Sequence, residues 1–476
     1  MRMNQYRFFD WVGTSSLRET NAPSRGAVGL AKTATLFTKV IHPASYLMIL
    51  PVRHFRLDDH RVAIEGAFAE HLRLMRSKIG DTASQLVVGS PLMASAAYER
   101  SKRSLSVIDE EREKITFHNL FADDDLRSWR DRIRLFWPAM RSVYRLVRQS
   151  FWVHSGLSWD MRLPIEFAAI IFGLIFRRRT VFVVDIDYRN SALMSYRNGD
   201  WSLKNYLACK YLYDVGRSAQ VRLATRFCSL VLLKGEKMVK DFGKGRPTVK
   251  NILDASHSER YIIDHGSLAE KLRAIRRVDC PLKLTYFGRL TAYKGVDLCI
   301  RAVANARRAK GNVTLDIIGE GEEIETLRRL TDTLKVGEYV AFHGARVFDQ
   351  EFFRFLYQFH LLLAAPLRED TPRNVLDAMA AGIPYLAFDT YYYRQLLESG
   401  AGAIVAWPDV DAMTRSLIDL ERNRDKIVKM VENAVAFARL NTQEEWLKRR
   451  LTWTMGSNPI LGSAKSIRNT LVNGSC

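Results

Sequence analysis

What most constrains this chain is a rhythm that runs through it twice. Short apolar runs (YLMILPV, QLVVGS, FWVHSG, TVFVVDIDY and CSLVLLKG) alternate with stretches of helical periodicity such as AIEGAFAEHLRLMRSKIG and PIEFAAIIFGLIF. After a polar break from Asp264 to Pro281 the alternation restarts with LKLTYFGRL, VTLDIIG, VAFHGA, HLLLAAP, IPYLAFD and GAIVAW. Between these lie helical stretches such as VDLCIRAVANARRA and PRNVLDAMAAG. Strand, helix, strand is the signature of a parallel sheet covered by helices. A chain of 476 residues also exceeds the ~250–300 residues at which a single core stops growing. The expectation is an α/β protein with two Rossmann-like doubly wound domains, residues 41–265 and 280–440. An N-terminal extension, 1–40, and a C-terminal helix with a flexible tail, 441–476, flank them.

Composition narrows the partners. Hydrophobic residues make up 47% and charged residues 26%, which excludes a disordered chain. The +20 net charge is lopsided: residues 1–280 hold 46 Lys and Arg against 29 acids, a net +17, while residues 281–476 hold 26 against 23, a net +3. A field of that kind draws polyanions without choosing among nucleic acid, anionic lipid and acidic glycan. Five cysteines, at 209, 228, 280, 299 and 476, form no CxxC pair, so neither a disulfide framework nor a zinc site is expected. The N-terminal MRMNQYRFFDWVG lacks the apolar region of a signal peptide, and the apolar run from Phe167 to Phe176 is stopped by Arg177, Arg178 and Arg179. A buried helix and a cytoplasmic location follow as expectations.

Two constellations carry chemistry. In YFGRLTAYKGVDLCIRAV, Gly288 ends a strand where a missing Cβ allows close approach, and Arg289 and Lys294 occupy the loop into the next helix. Two cations beside helix N-terminal amides suit a diphosphate, although a merely solvated loop has the same composition. In LREDTPRNVLDAMAAG, Glu369 lies after a strand and Asp377 about one turn into a helix, so both can face the crevice at the strand ends. Paired carboxylates there can accept hydrogen bonds from sugar and ribose hydroxyls. The plainer alternative gives Glu369 and Asp370 helix-capping roles.

In order, GRL-x3-KG-x-D, IIGEGEE, VAFHGA and a Glu-x7-acid leading into AMAAG-x-P resemble the retaining glycosyltransferases of family 4, the glycosyl transferases group 1, over about 160 residues. The resemblance implies the GT-B fold, two Rossmann-like domains facing a central cleft. It also implies that Arg289 and Lys294 hold the donor diphosphate beside Gly288, that Glu369 contacts sugar hydroxyls and that Asp377 contacts the ribose. On the same resemblance, backbone groups near His343, Gly344 and Ala345 would meet the nucleobase. The chain departs from the pattern twice: Asp377 stands where Glu is usual, and DTPRN replaces a Gly-rich loop, so that Pro372 offers no amide proton. Phosphate binding then leans on Arg373 and on the Asn374 and Val375 amides.

The G-E-G of IIGEGEEIETL carries Glu320, Glu322 and Glu323, which would repel a pyrophosphate, so helix capping is the expected role there. His154, Asp185 and Asp187 sit at strand ends, where His154 or Asp187 can orient an acceptor hydroxyl; a satisfied core histidine is the alternative for His154. Asp185-Ile186-Asp187 also spells a metal-binding DxD, but Arg289 and Lys294 already supply neutralising charge, so no metal is expected. Arg134, Arg141, Arg145 and Arg148 share one helical face with Trp137 and Tyr144 near its edge, while Val143 and Leu146 turn inward. That face suits an anionic membrane headgroup zone, as in a peripheral protein on the inner face of the plasma membrane.

The expected function is therefore a retaining, metal-independent glycosyltransferase, hexosyltransferase-like, moving a sugar from a nucleoside diphosphate sugar to a hydroxyl of a glycan or lipid-linked glycan in surface polysaccharide or glycoconjugate biosynthesis. The nucleotide sugar is a co-substrate, no cofactor is implied, and no nucleic acid is expected as partner. A basic nucleic-acid binder on a degenerate GT-B fold and an epimerase are the rivals.

Overall fold

The computed structural model describes residues 45–80, 83–102, 105–122, 128–253, 255–371 and 373–456. The extension 1–40, the tail from residue 457 and Pro372 lie outside the described residues. By contacts the chain divides into two units, Met1–Val153 with Ile171–Arg178, and His154–Ile170 with Arg179–Cys476.

In the first unit, strand Tyr46–Ile49 pairs in parallel with Leu86–Leu92, which pairs in parallel with Ile115–Ala122. The helices Gly66–Ile79 and Trp129–Arg148 belong to the same unit. One stretch departs from the expected rhythm. Ala63–Glu65, expected to open the helix AIEGAFAEHLRLMRSKIG, instead end the second strand of an antiparallel hairpin, His54–Arg56 with Arg61–Glu65, extended by the antiparallel strand Leu105–Asp109. The reason is local: the Asp58 carboxylate accepts from the His60 and Arg61 amides at 3.0 and 2.8 Å, which closes a tight turn and sends the chain back on itself.

The second unit holds the parallel strands Arg179–Val184, Leu230–Leu233 and Val249–Asn251. It also holds a separate six-stranded parallel sheet whose order across the sheet is Val340–Phe342, Val313–Ile318, Leu282–Phe287, Leu361–Ala364, Tyr385–Phe388, Gly402–Val405. In sequence rank this is 3-2-1-4-5-6, the doubly wound order, so the direction of winding reverses between Leu282–Phe287 and Leu361–Ala364. The inner strands are near-continuous apolar runs because helices cover both faces. Leu284, Leu315, Leu361 and Leu363 join Ile300 and Val303 in one core cluster, and Phe287, Ile318 and Leu362 join Phe353, Leu376 and Met379 in the other. The final helix, Gln443–Gly456, packs Trp446 and Trp453 against Val181, Leu230, Leu232 and Ile252. Together the sheets are those of two parallel-sheet Rossmann-like domains.

Among the described residues no helix is long and apolar enough to cross a membrane. The apolar run before Arg177 forms the helix Ile165–Ile175, with Ile165, Ala169 and Ile170 buried.

Candidate functional site at the switch point of the second sheet

The loops that leave the carboxyl ends of Leu282–Phe287 and Leu361–Ala364 flank the place where the winding reverses, and the sheet order therefore brings them together. Gly288 adopts φ +140°, and the Asn374 amide donates to the Phe287 carbonyl at 2.6 Å, closing the first loop on the second. A further stitch runs from the Leu367 amide to the Tyr293 carbonyl, 2.8 Å. Gly295, at φ +64°, starts the helix Val296–Arg308 so close to the fourth strand that a Cβ on it would overlap the Ala365 carbonyl oxygen. That approach sets where Lys294, the preceding residue, can reach.

Lys294 reaches Asp370 and forms a mostly buried ion pair with it. Burial opposes the Lys294 ammonium, but the Asp370 charge and hydrogen bond outweigh it and hold the ammonium above its ordinary range. Burial likewise opposes the Asp370 carboxylate, and Lys294, the Thr371 amide and Lys234 pull it below the usual range. Arg289 lies in the same loop, its guanidinium 3.5 Å from the Tyr293 hydroxyl, and its carbonyl accepts from Tyr286. Two buried oxygens here, Thr291 Oγ1 and Asn374 Oδ1, have no hydrogen-bond partner among the described residues.

Glu369 is 3% exposed and its carboxylate accepts from the Tyr392 amide at 2.9 Å, the Tyr391 amide at 3.2 Å and the Asn190 side chain at 2.5 Å. A capping role is thus real, but toward the helix Tyr391–Leu396 rather than the one that follows Glu369 in sequence. Burial pushes its carboxyl from the ordinary 4.5 up to about 7, against the pull of those three donors. The folded chain therefore keeps a proton that the unfolded chain releases across that interval. Stability should fall as pH rises from about 4.5 to 7, by roughly 3 kcal/mol in all, and level off above it. Denaturant midpoints measured across this range check the slope, and Glu369→Gln should flatten it.

Asp377, in the helix Asn374–Ala380, is buried, and its Oδ1 accepts from the Ser256 and His257 amides at 3.2 and 2.8 Å. It is thus oriented from the segment between the two sheets, one turn beyond Asn374. Arg373 is half-buried at the start of that helix, and the Val375 side chain is fully buried beneath it. His343 is held by its Nε2, 2.6 Å from the Asp316 carboxylate. Gly344 follows at φ +67° with its carbonyl accepting from the Gly319 amide at 2.8 Å, and Ala345 is exposed.

The remaining strand-end residues are occupied differently. His154 is buried in the strand Trp152–Gly156. Asp187 caps the helix Tyr188–Arg197 through the Arg189 amide, and its carboxylate also pairs with the Arg189 guanidinium at 2.8 Å. Asp185 is exposed, and its carbonyl accepts from the Thr371 hydroxyl at 2.8 Å. The expectation of capping by the G-E-G segment needs correction. Glu323 stands at the start of Ile324–Thr333, but its side chain accepts no capping bond. The glycines have the structural role: a Cβ on Gly319 would overlap the Gly288 carbonyl, and one on Gly321 the Leu290 carbonyl. They let this loop press against the Gly288–Leu290 turn.

Two residues of the site escaped sequence reasoning. Lys234, fully buried at the end of strand Leu230–Leu233, donates to the Thr371 carbonyl at 3.2 Å, and Asn190 donates to Glu369 from a helix first turn. Lys234 directly follows a strand, and Asn190 lies in the first turn of the helix after one; a lysine directly after LVLL was the available signal.

With this geometry in view, residues 269–437 match the family model for Glycosyl transferases group 1. The GtfA subunit of the UDP-N-acetylglucosamine--peptide N-acetylglucosaminyltransferase of Streptococcus parasanguinis is 30% identical over 130 residues, 27% of this chain and 25% of that protein. A GDP-mannose-dependent alpha-(1-6)-phosphatidylinositol monomannoside mannosyltransferase of Mycobacterium tuberculosis is 28% identical over 185 residues, 36% of this chain and 46% of that one. The chain thus spans between a quarter and a half of the length of these relatives. Among solved structures, Anabaena Alr3699/HepE in complex with UDP superposes with a TM-score of 0.58 at 17% identity, covering 87% of this chain and 100% of that one. WaaG, a glycosyltransferase involved in lipopolysaccharide biosynthesis, gives 0.57 at 14%, covering 86% and 100%. The fold is GT-B, and residues 269–437 of this chain are similar to the glycosyl transferases group 1.

Proposed function

We propose that the chain is a retaining glycosyltransferase of family 4 that moves a hexose from a nucleoside diphosphate sugar to a hydroxyl of a glycan or lipid-linked glycan, without a metal. The observation that carries this reading is the joining of two loops at the switch point through Lys294 with Asp370 and Asn374 with the Phe287 carbonyl. On this reading Arg289 and Lys294 hold the diphosphate together with Arg373 and the Asn374 and Val375 amides. Thr291 Oγ1 and Asn374 Oδ1 are the unsatisfied polar atoms a ligand would engage.

In this mechanism the diphosphate takes Lys294 from Asp370 in part, and Lys234 remains beside Asp370 to balance it. Glu369, fixed by three donors, meets the sugar hydroxyls, Asp377 the ribose, and the His343–Ala345 backbone the base. As the bond to the anomeric carbon breaks, Arg289 and Lys294 stabilise the charge that develops on the leaving oxygen. The acceptor hydroxyl attacks from the same face, and its proton passes to the departing phosphate. His154 is the candidate for orienting that hydroxyl. Asp187 would act by holding Arg189 and the first turn that carries Asn190. The relatives include proteins named for UDP-N-acetylglucosamine and for GDP-mannose, so both bases belong in the test.

The acceptor side is assigned to residues 41–265 and the donor side to 280–440. Arg134, Arg141, Arg145 and Arg148 are exposed on the helix Trp129–Arg148, Trp137 is 77% exposed, and Val143 and Leu146 are buried. We assign that face to an anionic membrane surface on the cytoplasmic side, where a lipid-linked acceptor would be met.

Incubation with a panel of uridine and guanosine diphosphate sugars should release nucleoside diphosphate from one of them, faster when acceptor is added. A product with inverted anomeric configuration would remove the retaining assignment. Absence of release across the panel would remove the transferase.

A further inference from the structure

The helix that follows Asn190's helix in sequence presents a surface the proposed chemistry does not use. Residues 203–227 form one run, Leu203–Ala208 and Asp214–Phe227 in α geometry joined by the π turn Cys209–Tyr213. Its inner side is buried through Cys209, Val221, Ala224 and Thr225. On its outer side Leu203, Leu207, Tyr211, Val215, Leu223 and Phe227 belong to one every-fourth series, and all are solvent-exposed, Tyr211 at 67%. Leu212 beside Tyr211 is also 67% exposed. On a pure α-helix such a series drifts by about 40° per step, and the wider π turn takes back part of the drift. An amphipathic helix normally turns its apolar stripe inward; this one has a second stripe that faces water.

The charges around the stripe identify what covers it. Lys204, Lys210, Arg222 and Arg226 are exposed beside it. Lys210 lies over the Tyr206 and Tyr211 rings at 5.7 and 5.3 Å, and Arg226 over Phe227 at 5.5 Å. The run holds a single acid, Asp214, which is buried and paired with Arg217 at 3.0 Å. A second copy of the chain is a poor occupant, because a two-fold contact sets the same patch against itself and would oppose these cations with no carboxylate between them. Residues 1–44 are equally poor, with six basic residues against two acids. Leucine and aromatic side chains between lysines and arginines match the boundary of an anionic bilayer, where rings and aliphatic groups enter the acyl region and cations meet phosphate headgroups.

We propose that the outer face of residues 203–227 is a membrane-docking surface that lays this helix in the plane of an anionic bilayer. It is separate from the Arg134–Arg148 face, and it does not depend on transferase activity, since binding to vesicles is read without turnover.

The full chain should be floated with phosphatidylcholine vesicles, with and without phosphatidylglycerol. Binding to the anionic vesicles should fall with salt, and be absent on phosphatidylcholine alone. The triple variant Tyr211→Gln, Leu212→Gln, Val215→Gln keeps the charge and should weaken binding at least about tenfold. Lys204→Gln and Lys210→Gln should each weaken it about fivefold. Exposed positions make these changes compatible with folding, which an unchanged circular dichroism melt would verify. Full binding by the triple variant overturns the proposal, as does loss of binding only on replacing Arg134, Arg141 and Arg145. So does absence of vesicle binding together with self-association that the triple variant abolishes, since that result assigns the face to a second copy.

Discussion

Lys294→Ala should lower turnover by about 10² or more, the usual scale for removing one contact to charge that develops in the transition state. The expectation follows from position as much as from charge. Lys294 is delivered to the switch point by the turn that ends at Gly295, and its ammonium is kept charged by Asp370. The variant also leaves the Asp370 carboxylate buried without that partner, so stability must be followed in parallel. Asp370→Asn separates the two effects: it removes the pair and leaves the lysine. If the account is right, this variant keeps substantially more turnover than Lys294→Ala. Steady-state rates under saturating donor, with denaturant midpoints for both proteins, decide the matter.

The second large effect is expected at Gly295. Its φ of +64° already costs a side chain energy, and the added methyl would meet the Ala365 carbonyl oxygen, a backbone atom that cannot swing aside. Gly295→Ala should destabilise the second unit by about 3 kcal/mol or more, and any folded fraction should show reduced turnover because Lys294 moves with the turn. Gly337→Ala is the contrast. That position has open space around it and an ordinary φ, so its change should stay within about 0.5 kcal/mol. Equal midpoints for the two variants would show that the close approach at Gly295 is not what seats the loop.

Much of this arrangement is legible in the amino-acid sequence. The strand ends at Phe287 and Ala364 follow from apolar runs bounded by Gly and Pro, and once two such strands are placed first and fourth in a doubly wound sheet, their loops must meet. Gly288, Lys294 and Glu369 could be singled out for that reason. What could not be read were partners set by tertiary contact. Asp370 looks like a capping residue beside Glu369, and only the close seating of Gly295 makes it the counter-ion of Lys294. Asn190 and Lys234 lie 179 and 137 residues from the groups to which they donate, and no local pattern spans that distance. Asp187, read as able to orient an acceptor hydroxyl, is hard to place in sequence for the opposite reason. Its partner, Arg189, is two residues away, and the helix start between them turns a strand-end carboxylate into a cap. The hairpin at Asp58 was missed because its strands are short and its turn relies on an aspartate rather than a glycine.

The most direct test is calorimetric titration of the full chain with uridine and guanosine diphosphates, alongside the corresponding monophosphates and the Arg289→Ala and Lys294→Ala variants. One diphosphate should bind, its monophosphate should bind at least about tenfold more weakly, and each variant should narrow this difference by loosening the diphosphate alone. Diphosphate and monophosphate binding with equal affinity, or an affinity unchanged by either variant, would contradict this.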